Sequence, residues 1–342
     1  MILTPILSII LPCYNVEKYI AECLDSIYSQ GVALDKFEVI CVNDCSPDRS
    51  VDIIKEYQLR YENLHLIHHN ENKRAGGARN TGIECAKGSY IWFVDSDDTI
   101  VDGSISLLID KLELSNQLDI LLFNYNLVDW QCHLIRREMT FDNSVVMDGV
   151  SFLKTGFRES FCYHLGFPWR MIFRRELLLD NFIRFAENIL YGEETVIFPK
   201  SILFASRVLS ITDLCYNYRV NPESISSRYD ANIPAELIYQ HSFLTGLELL
   251  QFAEEVRSID SFISEALRAK AISSYINGFI IKLLRTSYKE KREFYRKIEE
   301  NIEVLEAVEP HLNRLNRFVC NRYIGYYFLA LLTIAYNIKR KR

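Results

Sequence analysis

The sequence predicts an α/β fold on a mostly parallel central sheet, followed by an α-helical C-terminal region. Three observations carry this. Strand-like and helix-like stretches alternate over the first ~130 residues, as parallel strands joined by crossover helices require. The first apolar run is continuous rather than alternating, which suits a strand buried on both faces. Beyond residue 230 the pattern changes to long helical periods.

The elements follow in order. Ile6–Leu11 is an apolar strand ended by Pro12. Val16, Tyr19, Ile20, Cys23, Leu24, Ile27 and Tyr28 form the stripe of an amphipathic helix. Phe37–Val42 reads as a second strand. Ser46 and Pro47 supply an N-cap and a first helical residue for a helix reaching Leu59. Leu64–His68 is a third strand, Gly77–Ala86 a short helix and Tyr90–Val94 a fourth strand. A helix over Gly103–Ser115 leads to a fifth strand at Ile120–Tyr125. Val128–Ser227 mixes short strands with loops, and helical patterns cover Leu237–Glu255, Phe262–Leu284 and Lys289–Val308.

The 342 residues suit two domains better than one, with a boundary near residue 230. Composition narrows the function. An apolar share of 49% with 25% charged residues supports a packed core rather than disorder. A net charge of −6 argues against nucleic acid as the main ligand. The nine cysteines form no CxxC pair or zinc pattern and are read as reduced thiols in the cytosol. Met1–Pro12 lacks a basic leader and a small-residue cleavage site, so it is expected to be a strand. Tyr323–Ile338 is strongly apolar and precedes a Lys-Arg-Lys-Arg end. It falls short of the roughly 20 residues of a spanning helix. Two readings stand level: a bundle helix or homodimer face, and an interfacial anchor at the membrane.

In an open parallel sheet, ligands bind beyond the carboxyl ends of the strands. There the sequence places Pro12-Cys13-Tyr14-Asn15, Asn43-Asp44-Cys45-Ser46-Pro47-Asp48 and Asp95-Ser96-Asp97-Asp98. Three carboxylates in four residues repel one another unless a cation sits among them, and a helix cap needs only one. Hard ions such as Mg²⁺ take oxygen ligands, often one or two carboxylates plus substrate phosphates. Walker and GxGxxG phosphate loops are lacking, so kinase and dehydrogenase readings fail.

These segments, together with Gly76–Asp98 (GGARNTGIECAKGSYIWFVDSDD), resemble the family 2 glycosyltransferases of the bacterial polysaccharide type. The resemblance implies a GT-A fold and an inverting, metal-dependent glycosyltransferase. The donor would be a nucleotide-sugar, by default a UDP-hexose or UDP-N-acetylhexosamine, and the acceptor a hydroxyl of a glycan or lipid-linked glycan. The change of pattern sets domain limits of 1–230 and a helical region 231–342, and the resemblance splits the first into a nucleotide-sugar half (1–127) and an acceptor half (128–230). The reduced cysteines suit a cytoplasmic protein, and the anchor reading of the C-terminus would hold it at the inner face of the membrane.

By position, the resemblance implies that Pro12, Tyr14 and Asn15 line the nucleotide pocket and that Asp44 accepts the uracil imide N–H. Arg79, Asp95 and Ser96 would face the nucleotide-sugar, and Asp97 would ligate Mg²⁺ or Mn²⁺. Tyr191-Gly192-Glu193-Glu194 matches the family's Gly-Glu-Asp, which makes Glu194 the base, with Glu193 the alternative. Pro168–Arg175 resembles an acceptor-side segment, with Trp169 offering a flat face to a sugar and Arg170 near the acids. Tyr216-Asn217-Tyr218-Arg219, leading to Ser224–Ser226, resembles a segment over the diphosphate, with Arg219 as a phosphate clamp. Two other classes stand beside this reading: a non-catalytic nucleotide-sugar or partner-binding module, and a nucleotidyltransferase.

Overall fold

The computed structural model describes residues 4–115, 117–138, 145–159, 166–187, 189, 192–220, 235–271 and 274, with backbone alone at 235–240 and 243. The chain divides into two units, Met1–Arg228 and Tyr229–Arg342.

The first unit is built on one sheet. Its strands are β1 (Leu7–Cys13), β2 (Phe37–Asn43), β3 (Leu64–His68), β4 (Tyr90–Phe93), β5 (Thr99–Ile100), β6 (Ile120–Val128), β7 (Leu134–Glu138), β8 (Met171–Arg174) and β9 (Val208–Arg219). Their order is β3-β2-β1-β4-β8-β6-β9-β5, with β7 also on β6. Parallel pairing joins β1 to β2 and β4, β2 to β3, and β6 to β9. β8 lies antiparallel between β4 and β6, and β5 and β7 are likewise antiparallel to their partners. The fifth predicted strand, now β6, therefore runs the same way as β4 but is separated from it by β8. The inserted strand comes from the irregular middle of the sequence, where no period announced it.

The helices are α1 (Ile20–Tyr28), α2 (Ser50–Gln58), α3 (Arg74–Cys85), α4 (Ser104–Leu114), α5 (Gly149–Arg158), α6 (Arg175–Asp180) and α7 (Glu194–Phe204). Two begin later than the sequence predicts. α1 starts after a turn in which Asn15 has φ +57°. α2 starts at Ser50 because Ser46 is taken elsewhere: its N–H donates to Asn43 Oδ1 and its hydroxyl to the Cys13 carbonyl. Local side-chain bonds of this kind compete with helix initiation. Asp48 instead accepts from the Ser50 N–H.

Trp92, Phe93, Phe123 and Phe173 are fully buried around the middle of the sheet. α3 packs close on β1, since a Cβ at Gly82 would lie 2.3 Å from Ile10 Cγ2. The strand order reverses at β1, whose neighbours are β2 on one side and β4 on the other. In open α/β sheets ligands bind at such a switch point, outside the carboxyl ends of the strands.

In the second unit, α8 (Ala235–Val256) matches the predicted helix over Leu237–Glu255. Residues 261–271 are helical, and Ser264 Oγ donates to the Ala253 carbonyl at 2.7 Å. The rest of the predicted helix to Leu284, the helix over Lys289–Val308 and Tyr323–Arg342 lie outside the described residues. No helix among the described residues is long and apolar enough to cross a membrane.

Candidate active site

The register sets Cys13 of β1 beside Asn43 of β2, so the loops after both strands leave the sheet together. The Asp44 N–H donates to the Cys13 carbonyl at 2.9 Å, and the Asn15 N–H reaches Ser46 Oγ at 3.3 Å. From β4, the Ser96 hydroxyl donates to the Pro12 carbonyl at 2.5 Å. Pro12, Tyr14, Asn15, Asp44 and Ser96 are thereby gathered at one edge. Tyr14 is 50% exposed there, an aromatic face left open to a ligand.

Arg79 connects this edge to the second half of the unit. It is buried on α3, donating from Nη2 to Asp95 Oδ1 and from Nη1 to Glu193 Oε1, each at 2.8 Å. Its guanidinium lies over the Phe185 ring. Burial would lower its pKa, but Asp95 and Glu193 outweigh that and raise it. Asn80 clamps the facing segment, exchanging bonds with the Phe185 backbone and donating to Glu187. A Cβ at Gly76 would meet the Ala186 carbonyl at 2.8 Å, so glycine permits this approach.

Glu194 opens α7 beside Glu193. Burial first, and then the Glu193 carboxylate with a hydrogen bond between the two, push Glu194 well above the usual carboxylate range. Glu193 is anchored by its ion pair to Arg79.

The acidic stretch is resolved into different roles. Asp98 is buried, accepting from the Tyr216 hydroxyl at 2.8 Å and the Arg219 N–H at 2.7 Å. Burial, then Asp97 and Asp95, raise its pKa well above the ordinary value. Asp95 is paired with Arg79. Protein groups partner two of the three acids, yet Asp97 and Asp95 still raise Asp98, so the repulsion read from the sequence persists at this edge. Among the described residues no group of three or more His, Cys, Asp or Glu side chains is arranged for a metal. Asp97, half-buried at the edge, is a hard oxygen donor of the kind that holds Mg²⁺ together with substrate phosphates.

Three acceptor-side expectations are corrected by packing. Trp169 is only 2% exposed, stacked on Tyr216 and Tyr218 at 4.5 and 5.3 Å, so it has no face for a sugar. Phe167, stacked on it and 37% exposed, carries the open aromatic surface there. Arg170 is buried over the Tyr125 ring with Nη2 at 3.4 Å from the Phe123 carbonyl, and burial lowers it to about 10. Arg219 turns its guanidinium to α1, donating to Glu22 at 2.7 Å and lying over Tyr19. Burial would lower its pKa, but the Glu22 bond outweighs that and raises it. Ser224–Ser226 lie outside the described residues. Sequence reasoning passed over Glu22 and His69, which carry no local motif, and named Tyr216 only as part of a segment, without its bond to Asp98.

A topological switch point, an exposed aromatic and acids on the adjoining strand ends describe a domain of the GT-A class. Across known structures, Staphylococcus aureus TarS in complex with UDP-GlcNAc matches with a TM-score of 0.71 at 23% identity, covering 94% of this chain and 91% of that one. That likeness fixes the fold. The family profile described as Glycosyl transferase family 2 matches residues 8–179, and the chain belongs to this family. It is 34% identical over 224 residues to the glycosyltransferase EpsJ of Bacillus subtilis, covering 65% of this chain and 63% of that protein. It is 29% identical to a poly(ribitol-phosphate) beta-glucosyltransferase of Bacillus spizizenii, covering 92% of this chain but 48% of that one. The chain therefore spans 63% of the one relative and just under half, 48%, of the other.

Proposed function

We propose that this protein transfers a sugar, with inversion, from a UDP-sugar to a hydroxyl of a glycan, polyol-phosphate or lipid-linked acceptor. The observation that carries this reading is the placement of Glu194 beside Glu193, which Arg79 ties to Asp95 at the donor edge. The named activity of the Bacillus spizizenii relative and the nucleotide-sugar bound by the TarS neighbour support the donor and acceptor classes.

In this reading Tyr14 and Pro12 line the nucleotide pocket and Asp44 accepts an N–H of the base. Glu194 takes the proton of the acceptor hydroxyl as its oxygen attacks the anomeric carbon and the nucleoside diphosphate leaves. A proton affinity raised by burial suits a general base. Glu193 and Arg79 hold Glu194 in place, the Glu193 charge being compensated by the guanidinium. Asp97 would hold Mg²⁺ or Mn²⁺, which supplies charge neutralisation for the departing diphosphate. We read 1–127 as the donor half, 128–230 as the acceptor half and 231–342 as a separate helical region, in a cytoplasmic protein at the inner membrane face.

The test is a panel of UDP-sugars with Mn²⁺ and the full chain, following UDP release. Release from a preferred donor, lost in Glu194→Gln with UDP binding kept, is the expected result. Absence of UDP binding and release across the panel would overturn the reading.

A further inference from the structure

Asp44 is held by a network that the reaction described above does not use. Its Oδ1 accepts from the Lys73 N–H at 2.7 Å and lies 2.7 Å from Nδ1 of His69. The opposite ring nitrogen, Nε2, lies 2.9 Å from Thr81 Oγ1. The His69 N–H is bound to the Asn43 carbonyl at 3.0 Å, so ring and backbone are both tied down. The His69 and Asp44 side chains are only 6% and 3% exposed. A carboxylate oxygen only accepts, so the proton on this edge of the ring sits on Nδ1. Oδ2 takes no part in these bonds.

We propose that His69 is a positioning residue that sets the donor's base preference: together with Lys73 it saturates one oxygen of Asp44 and leaves the other for a single N–H, which selects uracil over guanine. The proposal rests on Asp44 being the acceptor for the base. Uracil offers one imide N–H and is matched by one oxygen. Guanine offers N1–H and the N2 amino group side by side and is matched by a carboxylate with both oxygens open. Against Asp44 as it stands, one of those donors would be buried unpaired, and an unpaired buried polar group is a strong discriminator. Thr81 holds the ring from α3, the helix that carries Arg79, so one rigid element serves both the base and the acidic pair.

Calorimetric titration of UDP and GDP, each with Mn²⁺, into the full chain and three variants tests this. The wild type is expected to bind UDP at least about tenfold more tightly than GDP, the factor one hydrogen-bond mismatch carries. His69→Leu should weaken UDP about tenfold and bring the two affinities together, because Asp44 is then free to offer both oxygens. His69→Asn, whose amide N–H can replace Nδ1–H, should restore the preference, and Thr81→Val should reduce it partway. A residue that merely supports the fold would weaken both nucleotides alike. An unchanged UDP-to-GDP ratio in His69→Leu, with cooperative melting retained, overturns the role of His69 while leaving the proposed transfer intact. Should His69→Leu not fold, a wild-type ratio in Thr81→Val overturns it equally. A wild type that binds no UDP overturns both.

Discussion

Arg79 on α3 donates to Glu193 across 2.8 Å, joining a residue that follows β3 to one more than a hundred positions later at the start of α7. The same guanidinium holds Asp95, so a single cation binds the acids of both halves of the site.

Removing that cation should destabilise the fold. Arg79→Met leaves Glu193 and Asp95 without their counter-charge in a buried setting, and breaking a buried pair typically costs about 3–5 kcal/mol. Urea unfolding of wild type and variant measures it. A loss within error of zero would mean that the two carboxylates are solvated or protonated without Arg79.

The raised Glu194 carboxyl gives a pH signature with a definite sign. A folded-state pKa above the unfolded one means that the native state holds the proton more tightly. The stabilisation is full below the unfolded carboxylate pKa and is lost as pH rises through the folded value. Relative to the wild type, Glu194→Gln should therefore gain stability as pH rises from acid to alkaline. Transfer by the wild type should increase over the same range, as the base form appears. Melting curves and rate profiles across pH check both, and parallel melting profiles would contradict the assignment.

Asp97 and Asp98 should separate activity from stability. Asp98→Ala leaves the Tyr216 hydroxyl and the Arg219 N–H without their acceptor, at a cost of about 1–3 kcal/mol for each group. Asp97→Asn should stay within about 0.5 kcal/mol of the wild type and lose the response of UDP release to Mn²⁺. Denaturant curves paired with a Mn²⁺ titration distinguish the two, and an Asp97→Asn enzyme that still responds to Mn²⁺ would rule Asp97 out as its ligand.

Gly76→Ala should weaken the seam between α3 and the segment at 185–187. The new Cβ would meet the Ala186 backbone carbonyl, which has no side-chain freedom to yield, and overpacking of this kind costs about 1–3 kcal/mol. A thermal melt at unchanged pH measures it. If the melt is unaltered, the segment at 185–187 moves aside without loss.

Much of the donor edge could be read in advance. Leu64–His68 appears as β3 with the predicted limits, and β1, β2 and β4 each end within two residues of expectation. Their apolar runs stop at residues that cannot be buried without partners, so the strand ends announce themselves. Which of those residues were already partnered could not be read. Asp98 bonds Tyr216 and Arg219, and Trp169 stacks on Tyr216 and Tyr218, all contacts between distant stretches. β8 and the first part of β9 arise from a stretch with no clear period, because a strand buried on both faces needs no alternation.

The sequence alone determined where polar chemistry gathers, because the local period of apolar residues dictates strands and a parallel sheet places their carboxyl ends on one edge. Tertiary structure alone decided what each polar group there does. Arg79 became the link between Asp95 and Glu193, Asp98 a buried acceptor for β9, and Trp169 a core residue. The physical reason is that burial and hydrogen-bond pairing depend on which distant segments meet, and one dimension of residue spacing carries no record of that meeting.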